Sequence, residues 1–165
     1  MKKVNLLILG SSNFVQRRVI SSLNKIKKIN YKICSKSQKN KNIFFSDYRE
    51  ALKSKPDIVY ISLVNHLHYK YAKIALNNGS HVIVDKPMAP ELSQVKDLIK
   101  IAKKKNLLLS EATLFNYHSV FYKINSLIGG NKNLKFIQSN FTIPQKKMIK
   151  QIELTQSDCF MDMSP

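Results

Sequence analysis

The chain has 165 residues, of which 44% are hydrophobic, and its 28 basic and 10 acidic residues give a formal net charge of +18. This length and hydrophobic content are sufficient for a domain with a buried core. No apolar run approaches the roughly 20 residues that a membrane helix needs, so we expect no membrane segment.

The positive charge comes mainly from lysine, since the chain has few arginines. A charge of this size suits either a nucleic-acid-binding module or a protein whose lysines face solvent. The lysines are spread along the chain without interleaved aromatic residues, so we favour solvated lysine faces and keep nucleic-acid binding as an alternative. Cys34 and Cys159 lack metal-ligand spacing, which predicts two free thiols in a reducing cytoplasm and no bound metal.

In the first fifty residues, short apolar runs alternate with segments whose apolar residues have the spacing of a helix. The first run ends in Gly10 and is typical of a buried parallel strand rather than of a signal peptide. This part of the chain predicts, in order, the strand Val4–Leu9, a helix over residues 14–26, short strands at 31–34 and Ile43–Phe45, and a helix over 47–53 capped by Asp47.

The next fifty residues repeat this alternation more regularly. They predict, in order, a strand at 58–63, a helix at 68–77 stopped by Gly79, the strand His81–Val84, a helix from Pro90 that presents Leu92, Val95, Leu98, Ile99 and Ala102 on one side, and a strand at 107–109. Strands that alternate with helices in this way imply a right-handed, doubly wound parallel sheet.

The pattern changes after Ser110. Residues 117–128 predict a helix, and residues 134–143 alternate in part, as in a strand of a different and more antiparallel sheet. We therefore predict an α/β Rossmann-type domain over residues 1–117. An α+β second domain would begin over residues 118–165.

The turn after the first strand lies where a dinucleotide-binding fingerprint would lie. It reads Gly10-Ser11-Ser12-Asn13-Phe14-Val15, so the first glycine of the fingerprint is present, while Ser12 and Val15 replace the second and third. The helix N-terminus would offer N–H groups to a phosphate, and the side chains of Ser11, Ser12 and Asn13 would add hydrogen bonds. A plain strand-to-helix turn rich in capping residues is the open alternative.

The end of the second strand reads Cys34-Ser35-Lys36-Ser37 and contains no carboxylate. In Rossmann domains an acidic residue here binds the ribose 2′-hydroxyl of NAD, whereas basic residues accept the 2′-phosphate of NADP. Ser35 as a hydroxyl donor and Lys36 as a positive charge therefore favour NADP over NAD, and Arg17 or Arg18 would add to this if one faces the site. An ordinary exposed loop is the alternative.

Two polar clusters follow neighbouring predicted strands. Asn65, His66 and His68 come after the strand at 58–63, and Asp85 and Lys86 come directly after His81–Val84. Ligands of open α/β sheets bind at the carboxyl ends of the strands. We therefore expect both clusters to face one crevice, where a hydride-transfer site would lie.

These motifs together resemble the glucose-fructose oxidoreductase / inositol dehydrogenase family, known as Gfo/Idh/MocA, over essentially the whole chain. Asp85-Lys86-Pro87 is similar to the Glu-Lys-Pro motif of the family. The other similar segments are Val64-Asn65-His66-Leu67-His68 for Pro-Asn-x-x-His, residues 111–118 for the stretch that leads into the second domain, and Met161-Asp162-Met163-Ser164 for Asp-x-Gly. The resemblance implies a Rossmann domain that binds NAD or NADP and a second domain that covers the nicotinamide.

The resemblance also implies roles for individual residues. Lys86 would be the catalytic lysine that moves a proton during hydride transfer. The remaining residues would surround the cofactor and substrate: Asp85 in place of the usual glutamate, Asn65 near the nicotinamide ribose, His68 holding its loop, Glu111 near the nicotinamide, and Tyr117 and His118 on the substrate side. The expected activity is oxidation or reduction of sugars, sugar nucleotides or polyols.

The resemblance ends just after residues 162–165. We therefore expect a truncated chain that lacks most of the second domain, including the residue that often partners the lysine. Whether such a chain is an enzyme stays open, and a catalytically inactive nucleotide-binding remnant is the alternative. With a complete second domain, association into a homo-oligomer would be expected, because family members usually associate through that domain.

Overall fold

Six parallel β-strands form one sheet in the computed structural model of the chain, which describes residues 3–36, 43–129, 135, 136, 138 and 140. The strands are β1 (Val4–Leu9), β2 (Ile29–Cys34), β3 (Ile43–Phe45), β4 (Ile58–Ile61), β5 (His81–Val84) and β6 (Leu109–Glu111). Their order across the sheet is β3-β2-β1-β4-β5-β6, and each neighbouring pair is parallel. This is the strand order of dinucleotide-binding Rossmann domains, so the predicted α/β class is confirmed.

The helices lie between the strands, as predicted. They are a π-helical turn (Val15–Val19) that runs into α1 (Ile20–Leu23), then α2 (Tyr48–Lys53), α3 (Asn65–Asn77), α4 (Leu92–Lys104), a 3-10 turn (Leu114–Tyr117) and α5 (Ser119–Leu127). The predicted cap of α2 is confirmed, because the Asp47 carboxylate accepts the backbone N–H groups of Arg49 and Glu50. Gly79 follows the C-terminal end of α3 with φ +89°, as a helix stop requires.

Several predicted boundaries were wrong. The first helix ends at Leu23, three residues before the predicted end. Helix α3 begins at Asn65 rather than at residue 68, so the predicted polar loop is the first turn of a helix. Strand β6 covers residues 109–111 instead of 107–109, since its partners on β5 begin with Val82 opposite Leu109.

The core lies on both faces of the sheet, because successive strand residues point to opposite sides. Leu7 and Leu9 of β1 face α2, α3 and α4 on one side, and Leu6 and Ile8 face the π-helical turn and α1 on the other. Leu98 and Ala102 of α4 are buried as predicted, whereas Leu92 and Ile99 are exposed. Only part of the predicted apolar side of this helix therefore packs against the core.

The chain divides into two compact units, Met1–Ala112 and Thr113–Pro165, whereas the sequence placed the boundary near Tyr117. The described residues do not include residues 37–42, most of the predicted strand over 134–143, Cys159 or the segment Met161-Asp162-Met163-Ser164. Among the residues that the structure describes, every helix is too short or too polar to be a membrane-spanning segment.

Candidate active site

The carboxyl ends of β1, β2 and β4 are tied together around Gly10. The Gly10 N–H donates to the Cys34 carbonyl at 2.8 Å, and the Ser62 N–H donates to the Leu9 carbonyl at 2.8 Å. Gly10 has φ +107°, and a Cβ atom there would lie 1.9 Å from the Ser62 carbonyl oxygen. Only glycine fits this crossing, so the first glycine of the predicted fingerprint is required by the geometry.

The two serines of this turn hydrogen-bond within the turn. The Ser12 hydroxyl accepts the Val15 N–H at 3.2 Å, and the Gln16 side-chain amide donates to the Ser11 hydroxyl at 2.7 Å. Val15, at the place of the third glycine, is fully buried against the sheet, and the π-helical turn begins with it. Ser12, Asn13 and Phe14 stay exposed beside the helix N-terminus. Ser11 and Ser12 thus make hydrogen bonds within this region, as capping residues do, and exposed polar groups remain beside the N-terminus.

The end of β2 brings together one basic and one acidic residue. The Lys36 ammonium lies 5.8 Å from the centre of the Tyr48 ring, while Ser35 is buried and bonds through its N–H to the Phe45 carbonyl at 3.0 Å. The Asp47 carboxylate also lies close enough to act on this strand end electrostatically. Its pKa is lowered, chiefly by the hydrogen bond from the Glu50 N–H, and Lys36 contributes.

Sequence reasoning missed Asp47 as a neighbour of this strand end, because it lies twelve residues beyond Ser35 on another element. One oxygen of its carboxylate is already occupied by the two N–H groups at the start of α2. Cys34, beside it, is fully buried, and this burial, followed by the Asp47 charge, raises the pKa of the thiol from 9.0 to about 12. Cys34 is therefore a neutral, packed thiol.

His68 joins the segments that follow β4 and β5. Its ring is fully buried, with Nδ1 2.7 Å from the Pro87 carbonyl oxygen and Nε2 2.9 Å from the Leu63 carbonyl oxygen. Asn65 is half-buried in the first turn of α3, and His66 is exposed. The imidazole thus connects the two segments that sequence reasoning expected to face one crevice.

The Asp85-Lys86-Pro87 segment is held by neighbouring strands on both sides. The Asp85 N–H donates to the Ile61 carbonyl at 2.9 Å, and the Tyr60 hydroxyl donates to Asp85 Oδ1 at 2.5 Å. On the other side, Glu111 Oε2 accepts the Met88 N–H at 2.7 Å. Lys86 is exposed between these contacts, and its peptide bond to Pro87 is cis.

Tyr60 is a further residue that sequence reasoning missed. Burial raises the pKa of its phenol, and the hydrogen bond to Asp85 adds to this effect. The register of β4 and β5 brings the two residues together, because Tyr60 pairs with Ile83 and Asp85 follows two residues later on the same face. The sequence alone does not give this register, so the contact could not be predicted from it.

The two predicted substrate-side residues lie in the second unit. Tyr117 is 82% exposed at the end of the 3-10 turn. His118 caps α5, because its Nδ1 accepts the Val120 N–H at 3.2 Å. Their roles toward a substrate stay predictions. Within the described part of the chain, no group of three or more histidine, cysteine or acidic residues has the arrangement of a metal site.

Known proteins are similar to this chain in sequence. Trans-1,2-dihydrobenzene-1,2-diol dehydrogenase from Xenopus tropicalis is 28% identical over 112 residues, which are 66% of this chain and 34% of that protein. The dTDP-3,4-didehydro-2,6-dideoxy-alpha-D-glucose 3-reductase of Streptomyces violaceoruber is 32% identical over 92 residues, which are 54% of this chain and 27% of that protein. The chain thus spans about a third of the length of the curated relatives it matches.

Solved structures agree in fold. The 3-ketoreductase from Actinomadura kijaniata, in complex with TDP-benzene and NADP, superposes with a TM-score of 0.71 over 78% of this chain and 44% of that chain, at 22% identity. Residues 4–113 match the GFO_IDH_MocA family, described as an oxidoreductase family with an NAD-binding Rossmann fold. That match covers most of the chain and the strand-end motifs, and it confirms the resemblance: the chain belongs to the Gfo/Idh/MocA oxidoreductase family.

Proposed function

We propose that this chain binds NADP, or NAD, and forms the cofactor-binding part of an oxidoreductase that acts on a sugar, sugar nucleotide or polyol. The observation that supports this most is the convergence of four strand ends. The Gly10 turn, Lys36, Ser62 and the Asp85 segment follow β1, β2, β4 and β5, which are adjacent in the sheet. Ligands of doubly wound sheets bind at this place.

The groups at the strand ends fit a dinucleotide. The turn at Gly10 keeps the backbone tight, and a helix N-terminus with exposed Ser12 and Asn13 follows it, which suits a pyrophosphate. Lys36 supplies a positive charge at the place of a 2′-phosphate, and the Asp47 carboxylate beside it is engaged in capping α2. These features support NADP as the preferred cofactor.

Lys86 is the proposed proton-transfer residue. It is exposed at the end of β5, and the backbone on either side of it is bonded to Ile61, His68 and Glu111. The bound cofactor would supply the hydride chemistry. The lysine ammonium donates a proton to a substrate carbonyl oxygen during reduction, or its neutral amine accepts the proton of a hydroxyl during oxidation.

The substrate class rests on the relatives. The Streptomyces violaceoruber protein is by name a reductase of a dTDP-linked sugar, and the Xenopus tropicalis protein is by name a dehydrogenase of a cyclic diol. Both names describe the oxidation or reduction of a molecule with an oxygen-substituted ring. We extend that class of reaction to this chain, with a small hydroxylated molecule as its partner.

Titration of the purified chain with NADPH and NADH, followed by nicotinamide fluorescence, tests the proposal. We expect tighter binding of NADPH, and Lys36→Ala should weaken NADPH binding roughly tenfold while NADH binding stays unchanged, as for the loss of one charge-assisted hydrogen bond. Lys100→Ala, which removes an exposed lysine of α4, is the matched control and should change neither affinity. Absence of binding to both cofactors would contradict the proposal. Binding without turnover of any sugar or polyol would favour the nucleotide-binding remnant.

A further inference from the structure

The Tyr60–Asp85 contact is built into the sheet itself. Tyr60 of β4 lies opposite Ile83 of β5, and Asp85 follows on the same face, so the tyrosine side chain runs along the sheet to the strand end. Its hydroxyl donates to Asp85 Oδ1 at 2.5 Å. The ring is 7% exposed and packs with buried neighbours on that face, namely Leu6, Ile8, Val15, Ile20 and Ile33.

A further bond fixes the acidic member of the pair. The Asp85 N–H donates to the Ile61 carbonyl at 2.9 Å. The phenol orients the Asp85 carboxylate by donating to one of its oxygens. The carboxylate therefore lies at a fixed place beside Lys86, at the carboxyl end of β5.

We propose that Tyr60 is a positioning residue that holds the Asp85 carboxylate toward the nicotinamide, and that this pair makes the chain bind the oxidised cofactor more tightly than the reduced one. The inference rests on the proposed cofactor site. The oxidised nicotinamide ring is a cation and the reduced ring is neutral, so a fixed carboxylate attracts only the former by its charge. The charge of Lys86 is present in every variant below and cancels in the comparison.

The test is the ratio of the dissociation constants for NADPH and NADP⁺, measured by calorimetry on the full chain. Asp85→Asn should lower this ratio, and so the preference for NADP⁺, roughly fivefold, the size expected for one unit charge partly screened by water. Tyr60→Phe should lower it about two- to threefold, because one hydrogen bond that orients the carboxylate is lost. In the Asp85→Asn background, Tyr60→Phe should change nothing more, since the tyrosine acts through the carboxylate.

The chain offers a matched control on its outer surface. The Tyr69 hydroxyl donates to Asp97 Oδ2 at 2.9 Å, so Tyr69→Phe and Asp97→Asn repeat the same chemical changes between α3 and α4. Both control variants should leave the ratio unchanged. Urea unfolding of each variant separates a loss of folded protein from a change in cofactor preference.

The possible outcomes separate the inference from the proposed function. If the unmodified chain binds neither cofactor, the proposed function fails, and the inference fails with it. If the chain binds cofactor but Asp85→Asn weakens both forms equally, the proposed function stands and the inference is overturned. Should Asp85→Asn not fold, Tyr60→Phe decides, because an unchanged ratio in that variant also overturns the positioning role.

Discussion

Gly10→Ala tests the crossing at which β1 and β4 end. A Cβ atom at residue 10 would lie 1.9 Å from the Ser62 carbonyl oxygen and 2.8 Å from its carbonyl carbon. Both are backbone atoms, and the Ser62 N–H is itself bonded to the Leu9 carbonyl at 2.8 Å. The neighbour therefore cannot rotate away, and one of the two strands must shift to admit the methyl group.

Two costs add in this variant. A side chain at the positive φ of +107° costs about 1–2 kcal/mol of backbone strain. Overpacking against fixed atoms costs about 1–3 kcal/mol more. We therefore expect the free energy of unfolding to fall by about 2–5 kcal/mol, a large part of the roughly 5–15 kcal/mol of a typical domain.

Gly79→Ala is the matched control, because this glycine also has a positive φ, of +89°, while a Cβ there meets no atom within 4 Å. It should carry only the strain, about 1–2 kcal/mol. Urea unfolding followed by circular dichroism measures both variants, and NADPH titration of Gly10→Ala should show weakened binding. If the two glycine variants lose the same stability, the steric reasoning at Gly10 is refuted.

Three further predictions concern His68, Ser12 and Cys34, which lie at or near the carboxyl ends of the strands. His68→Ala should lower the free energy of unfolding in urea by about 2–4 kcal/mol, because it leaves a cavity and removes the hydrogen bond between the imidazole and a backbone carbonyl. His66→Ala at the exposed neighbour should change the free energy of unfolding by no more than about 0.5 kcal/mol. Similar losses in both variants would contradict the role of His68 in joining the segments after β4 and β5. Ser12→Ala should lower the free energy of unfolding by about 1 kcal/mol, measured in the same way, because the cap of the first helix is lost; an unchanged value would exclude the cap. In a Cys159→Ser background, alkylation of Cys34 at pH 8 should be about a thousandfold slower than in the urea-unfolded chain, since a thiol pKa of about 12 instead of 9.0 leaves that much less thiolate. The alkylation rate should rise as the pH approaches 12, and fast reaction at pH 8 would show that the thiol is accessible and ionised.

The succession of strands and helices along the chain was predictable because most buried strands are short apolar runs between turn residues. Val4–Leu9 and His81–Val84 have the predicted bounds, and Asp47 and Gly79 mark helix ends by the chemistry of their own residues. Local signals of this kind need no knowledge of the rest of the chain. The fold class could therefore be predicted in full for the first unit.

The wrong boundaries arose where a partner strand, rather than local composition, decides the structure. Residues 107–109 are all leucine, yet Leu108 is 74% exposed, and β6 covers residues 109–111 because those residues pair with β5. Helix α3 begins at Asn65 after Val64, which has no side-chain oxygen to cap a helix, so the usual start signal is missing. Asn65 and His66 therefore resembled a loop.

Several of the predicted site residues together hold the backbone around Lys86. The Asp85 N–H is bonded to Ile61 of β4, the Pro87 carbonyl to His68 of α3, and the Met88 N–H to Glu111 of β6. Three elements thus fix the backbone on both sides of Lys86, although each contact uses a different kind of group. For a residue proposed to transfer a proton this matters, because a displacement of about 1 Å can cost roughly a hundredfold in rate. The contacts around the lysine therefore support its proposed role.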